Sequence, residues 1–70
     1  MAVAKVIEIL AESDTGWEDA ARKAVAEASE TVRDITHLWV DGMQAEVEGD
    51  VIVKYRLNAK ITFVVRDDHS

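Results

Sequence analysis

Four side chains in the C-terminal half of this 70-residue chain suit a flat, hydrogen-bonding ligand: His37, Trp39, Gln44 and Arg56. Trp39 offers an indole that stacks on an aromatic ring and an N–H that seeks an acceptor. His37 stands two residues earlier, which on a strand means the same face, and adds a second planar surface. Arg56 carries a rigid donor fork matched to carbonyl, carboxylate or phosphate oxygens. Gln44 donates and accepts at once, as an amide-edged heterocycle requires. Each residue also has a plainer reading. Trp39 could equally pack against a neighbouring subunit, and His37 suits an interface or solvent. Arg56 can pair with Asp41 across the strands.

Other chemistries find few residues to work with. The chain has no cysteine, which excludes disulfides and cysteine-based metal sites. His37 has no evident serine partner, and His69 lies in the tail. The glycines are Gly16, Gly42 and Gly49 only, so no glycine-rich phosphate loop exists. Asp41, Glu46 and Glu48 could hold a hard cation at a symmetric interface, although solvated carboxylates are the plainer reading. The residues point to binding and not to an enzyme.

The elements that position these residues follow from periodicity. Tyr55 to Val65 alternates, with Tyr55, Leu57, Ala59, Ile61 and Phe63 on one face and Arg56, Asn58, Lys60 and Thr62 on the other. That is a half-buried strand. Val3 to Leu10 reads as a first strand, and Ala11 to Thr15 as a polar connection. A helix is expected from about Gly16 to Arg33, with Trp17, Ala20, Ala21, Ala24, Val25, Ala28 and Val32 forming a narrow apolar stripe. Trp17 reads as a core or interface anchor at its start. Two long strands follow, Ile35 to Val47 and Val51 to Val65.

Apolar parity changes in the third element, from Leu38 and Val40 to Met43, Ala45 and Val47. One extra residue near Asp41 and Gly42, a β-bulge, accounts for it. A three-residue loop, Glu48 to Asp50, would set Val47 against Val51, Ala45 against Val53 and Met43 against Tyr55. Beyond the bulge Val40 would face Leu57 and Leu38 would face Ala59. The opposite face then collects His37, Trp39, Asp41, Gln44, Lys54, Arg56, Asn58 and Lys60. The expected fold is α+β: a βαββ order in which a bent, three-stranded antiparallel sheet wraps around one helix. Arg66 to Ser70 reads as a frayed tail of this single domain, residues 1–70.

Seventy residues bury only ~60% of the surface of the unfolded chain, so an oligomer is the expected state. The net charge of −6 argues against a nucleic-acid partner. It aids solubility, and a salt-rich host is another origin for it. No apolar run reaches membrane-spanning length and no signal peptide is evident, so the sequence reads as cytoplasmic.

With these elements in place, the chain resembles the dodecin family over nearly its whole length. The resemblance rests on Lys5-Val6-Ile7-Glu8, Gly16-Trp17-Glu18-Asp19-Ala20-Ala21, Ala24-Val25, Thr31-Val32-Arg33, Tyr55-Arg56 and Lys60-Ile61-Thr62-Phe63. It implies a small βαββ protein assembling into a hollow homododecamer. It also implies non-covalent binding of riboflavin or FMN in pairs at subunit interfaces, for storage and photoprotection. In flavin-binding members a tryptophan stacks on the ring system and a glutamine hydrogen-bonds its edge. Here His37 stands at the tryptophan position, with Trp39 two residues on, and Arg56 stands at the glutamine position. The usual Gly-Thr-Ser after the first strand reads Ala11-Glu12-Ser13. The implied site is therefore Trp39, His37, Arg56 and Gln44. The alternatives are a dodecin-like assembly that binds a cation or another small molecule, and a purely structural oligomer.

Overall fold

Gly49 adopts φ +65°, a conformation open to a residue without a Cβ, and with Asp50 it closes a two-residue hairpin. The hairpin joins β2 (Ile35–Glu48) to β3 (Val51–Arg66) in a computed structural model that describes residues 2–66. Before them come β1 (Ala2–Ser13) and α1 (Trp17–Ala28). The three strands form one antiparallel sheet in the order β1-β3-β2, so the fold is α+β with βαββ order, as expected.

β3 is the central strand, and its alternation defines the core. Leu57, Ala59, Ile61 and Phe63 are buried on the helix side. Ala20, Ala24 and Ala28 of α1 are buried against them, with Ala11 of β1 completing the cluster. Ile7, Ile9, Trp17, Val32 and Leu38 pack around its edge. α1 lies on β1 and β3 and barely reaches β2.

The elements differ from the sequence expectation at their ends. β1 runs on through Ala11, Glu12 and Ser13, which the sequence reading placed in a connection. α1 stops at Ala28, five residues short of Arg33. There Ser29 Oγ donates to Ala26 O at 2.8 Å and Thr31 Oγ1 to Ala28 O at 3.3 Å, so polar side chains compete for the last carbonyls. Val32 still reaches the core after the turn. Asp34, at φ 60°, reverses the chain into β2. Arg66, expected to fray, pairs with Ala2 in the sheet, and its Nε lies 3.4 Å from Asp34 Oδ2. Residues 67–70 of the expected tail lie outside the described residues.

The bulge near Asp41 is present: Val40 pairs with Ala59 and Gly42 with Asn58, leaving Asp41 extra. The register around it differs from expectation by two residues. Met43 faces Leu57, Ala45 faces Tyr55, and Leu38 faces Ile61. The hairpin loop is one residue shorter than expected, and a further irregularity between Glu46 and Val47 makes up the remaining offset. A two-residue slip preserves the face of every side chain, so the division into core and outer face stands.

The turn into α1 is built on buried Ser13. Its hydroxyl donates to Asp19 Oδ2 at 2.6 Å and accepts the N–H groups of Thr15 at 3.0 Å and Gly16 at 3.3 Å. It thereby takes the place of a side-chain cap, which Gly16 lacks. The Ser13 hydroxyl, with Lys23 at 3.3 Å, holds the Asp19 carboxyl below its ordinary value of 3.8.

Two outcomes are expected. Ala24→Leu forces volume between helix and sheet and should cost about 1–3 kcal/mol in urea unfolding at fixed protein concentration. Asp19 has a depressed folded pKa, so its contribution is full above the unfolded value and is lost as pH falls through the folded one. Asp19→Asn should therefore flatten the loss of stability of the wild type below about pH 4 in an acid titration.

Candidate functional site

Residues of alternate parity on the three strands leave one face of the sheet without a helix. Rows of side chains cross this outer face. Val6, Thr62 and His37 form one row, and Glu8, Lys60 and Trp39 the next. Leu10, Asn58 and Gly42 follow, then Glu12, Arg56 and Gln44. All four residues nominated from the sequence therefore share this face.

They divide into two groups. Trp39 is 69% exposed, and its indole stands beside Val6, Lys60 and Thr62 along a shallow groove of roughly 370 Å³. Val6 is also exposed here, so the groove has an apolar wall beside the indole. His37 is one row away and exposed, with Nδ1 2.9 Å from Thr36 Oγ1, which itself donates to Thr62 O at 3.4 Å. Gln44 and Arg56 face each other across β2 and β3. They border a second groove of roughly 190 Å³ with Ala45, Glu46 and Lys54. Lys60 and Arg56 are four residues apart on β3, so the two groups lie ~13 Å apart at ~3.3 Å per residue.

Arg56 has a partner, and it is not Asp41. Its Nε donates to Glu12 Oε2 at 2.7 Å, and Nη2 lies 2.5 Å from the same oxygen. Glu12 Oε1 is 4.0 Å from Lys54 Nζ. Asp41 occupies the bulge, which removes it from the Arg56 row. The sequence reading missed Glu12 because it placed this residue beyond the end of β1. The signal available was that Ile9, Ala11 and Ser13 continue the parity of Ile7.

The helix also reaches this part of the sheet. Trp17 Nε1 donates to the carbonyl oxygen of Gln44 at 3.1 Å, and the Trp17 and Tyr55 rings meet edge-on at 4.8 Å. The start of α1 thus fixes the β2 backbone that carries Gln44. Among the described residues no three His, Asp or Glu side chains gather into a cation site within one chain. No helix of the described residues is long and apolar enough to cross a membrane.

One helix on a three-stranded antiparallel sheet with an open, aromatic-bearing face defines a small α+β module. The family described as Dodecin matches residues 3–66, and the chain belongs to the dodecin family. It is similar to the calcium dodecin of Mycobacterium tuberculosis, 36% identical over 66 residues, 94% of this chain and 93% of that protein. The solved structure of that relative is described as a calcium-chelating immunodominant antigen with a novel calcium-binding site. It aligns at TM-score 0.79 and 34% identity, covering 97% of each chain. Dodecin from Streptomyces coelicolor aligns at TM-score 0.87 and 24% identity, covering 96% of each chain. A tryptophan-to-phenylalanine variant of Thermus thermophilus dodecin aligns at 0.89 and 22%, covering 96% of this chain and all of the other. The last two share the fold.

Proposed function

We propose that this protein binds riboflavin or FMN non-covalently and sequesters it between copies of itself, stacked on Trp39. The observation that carries this reading is the indole of Trp39, 69% exposed on an open sheet face with apolar Val6 beside it. A tryptophan that exposed on an apolar-walled groove stabilises the fold little and is free to stack on a planar partner. The side chains at the site bind and orient a ligand; they supply no nucleophile and base, so turnover is not proposed.

An oligomer, a homododecamer by family resemblance, supplies the remaining walls. The chain exposes 5270 Å², against roughly 4400 Å² for a compact monomer of its mass. Its radius of gyration is 14.8 Å, against roughly 11 Å for a compact domain of this length. Exposed Val40, Met43, Val6 and Leu10 are the surface that partner copies would cover. With the Trp39 group and the Arg56 group ~13 Å apart along β3, one chain does not bring both to the same ring system. Neighbouring copies would bring Gln44 or Arg56 of one chain to a ligand on Trp39 of another.

A second reading, a calcium-binding dodecin, is favoured by the 36% identity to the calcium dodecin. Its carboxylates would have to come from several copies.

Riboflavin titrated into the flavin-stripped protein should lose its fluorescence saturably. Trp39→Ala should weaken binding about tenfold or more, the loss of one stacking contact, with the elution volume of the assembly unchanged. Equal affinity in that variant would remove Trp39 from the site. Absent quenching, together with a calcium-dependent rise in Tm, would replace the flavin reading by the cation reading.

A further inference from the structure

Gly42 is the one glycine that this chain does not use for its own fold. Gly49 turns the hairpin at φ +65°, and Gly16 stands at the N-cap of α1, where glycine is well tolerated. Gly42 follows the bulge residue Asp41 inside β2, yet its φ lies outside the left-handed region that makes glycine obligatory in some bulges. A Cβ added there would meet no heavy atom within 4 Å beyond its chain neighbours, so no close packing inside the chain excludes a side chain. A glycine in a strand interior weakens the strand through its conformational freedom. Neither a turn nor an internal contact accounts for it, and the close approach of something from outside the chain does.

Its position says what approaches. Gly42 pairs with Asn58, one outer-face row beyond Trp39 and Lys60. The two rows are ~6.6 Å apart at ~3.3 Å per residue. Along β2, the neighbouring paired residue of the outer face on one side of Trp39 is His37, which carries a ring. On the other side it is Gly42, which carries nothing. A ring on the indole face that looks toward residue 42 lies ~3.5 Å from the indole, which leaves ~3 Å to the Gly42 row. Carbon atoms in contact need ~3.5–4 Å, so even a methyl group at position 42 would crowd the ring. The floor stays low toward β1, where a cavity of roughly 270 Å³ lies beside Leu10 and Asn58.

We propose that Gly42 is a specificity-determining residue of the Trp39 site: its missing side chain opens a slot against the indole, on the side away from His37, in which the flat ring of the ligand lies. This rests on the flavin reading above and deepens it, since it states which face of the indole the ring takes. The slot selects by thickness. A planar aromatic ring enters it, whereas a puckered, saturated ring of the same area is too thick.

Riboflavin is titrated into the flavin-stripped wild type, Gly42→Ala and Gly42→Val, and its quenching is followed. Affinity should fall with side-chain size, about threefold for alanine and about tenfold or more for valine. The midpoint of urea unfolding should be unchanged or higher in both variants, because alanine and valine suit a strand better than glycine does. The elution volume of the assembly should not change. In a Trp39→Ala background Gly42→Val should cost less than about twofold, since the slot is lost with the indole, whereas a substitution that merely disturbed the bulge would cost the same in both backgrounds. Unchanged riboflavin affinity in both glycine variants overturns the proposal. A shift of either variant to a smaller species also overturns it and assigns the bare backbone to a contact between copies. A loss of affinity in His37→Ala without one in Gly42→Val puts the ring on the other face and overturns it too.

A wild type that quenches no riboflavin ends the flavin reading and leaves the slot to be decided by acridine, a bare planar tricycle. Acridine should then quench the tryptophan emission of the wild type more strongly than that of Gly42→Val, and the difference should vanish once Trp39 is replaced by alanine. Equal quenching in the wild type and Gly42→Val would overturn the slot as well.

Discussion

The close seat of α1 on β3 is the contact on which this molecule depends. Ala20, Ala24 and Ala28 turn only methyl groups toward Leu57, Ala59 and Ile61, so the helix lies low on the sheet. A stripe of leucines would bury more area but would hold the helix away from β3. The low seat has a geometric consequence. Twelve helical residues span ~18 Å, whereas the sixteen residues of β3 reach ~53 Å. The molecule is 59 Å long and only 13 Å in its thinnest direction. One short helix cannot cover such a sheet on even one side. Exposed Val40 and Met43 on the helix side, and Val6, Leu10 and Trp39 on the other, follow from that mismatch.

The outer face owes its character to the same strand. From Lys54 to Thr62, every residue of β3 that points away from the helix is polar: Lys54, Arg56, Asn58, Lys60 and Thr62. Being central, β3 presents them between β1 and β2, so those from Arg56 to Thr62 find neighbours on both sides. A central strand cannot move its side chains away from those neighbours, and the rows are fixed by backbone pairing before any side-chain interaction is counted. Arg56 meets Glu12 for this reason and holds it with two N–H groups.

Much of this was legible in the sequence, and the limits have physical causes. The alternation from Tyr55 to Val65 and the parity change at Asp41 were enough for the βαββ order, the bulge and the membership of the outer face. The register was not legible to better than two residues, because parity is blind to a slip of two. The two-residue loop at Gly49 and Asp50 supplies one residue of that slip, and the irregularity between Glu46 and Val47, which no periodicity announces, supplies the other. The helix end was missed because Val32 does reach the core, but after a turn. The Glu12–Arg56 pair was missed because it needs β1 to extend past Leu10, and Glu12 and Ser13 look like turn residues until their partners on β3 are known.

The Glu12–Arg56 row also bears on which ligand this face suits. Calcium needs several carboxylate or carbonyl oxygens free to turn inward. Glu12 is not free, since a guanidinium holds one of its oxygens and an ammonium faces the other. Binding calcium there would bring a divalent cation against two positive side chains. A ligand whose affinity comes from its flat face and whose edge is polar but uncharged, as proposed above, meets no such repulsion in this row. In the proposed flavin site Trp39 of one copy would offer the first contact, and Gln44 with the free side of Arg56 of another the second. A calcium site in this chain would therefore have to use carboxylates other than Glu12, away from the Arg56 row.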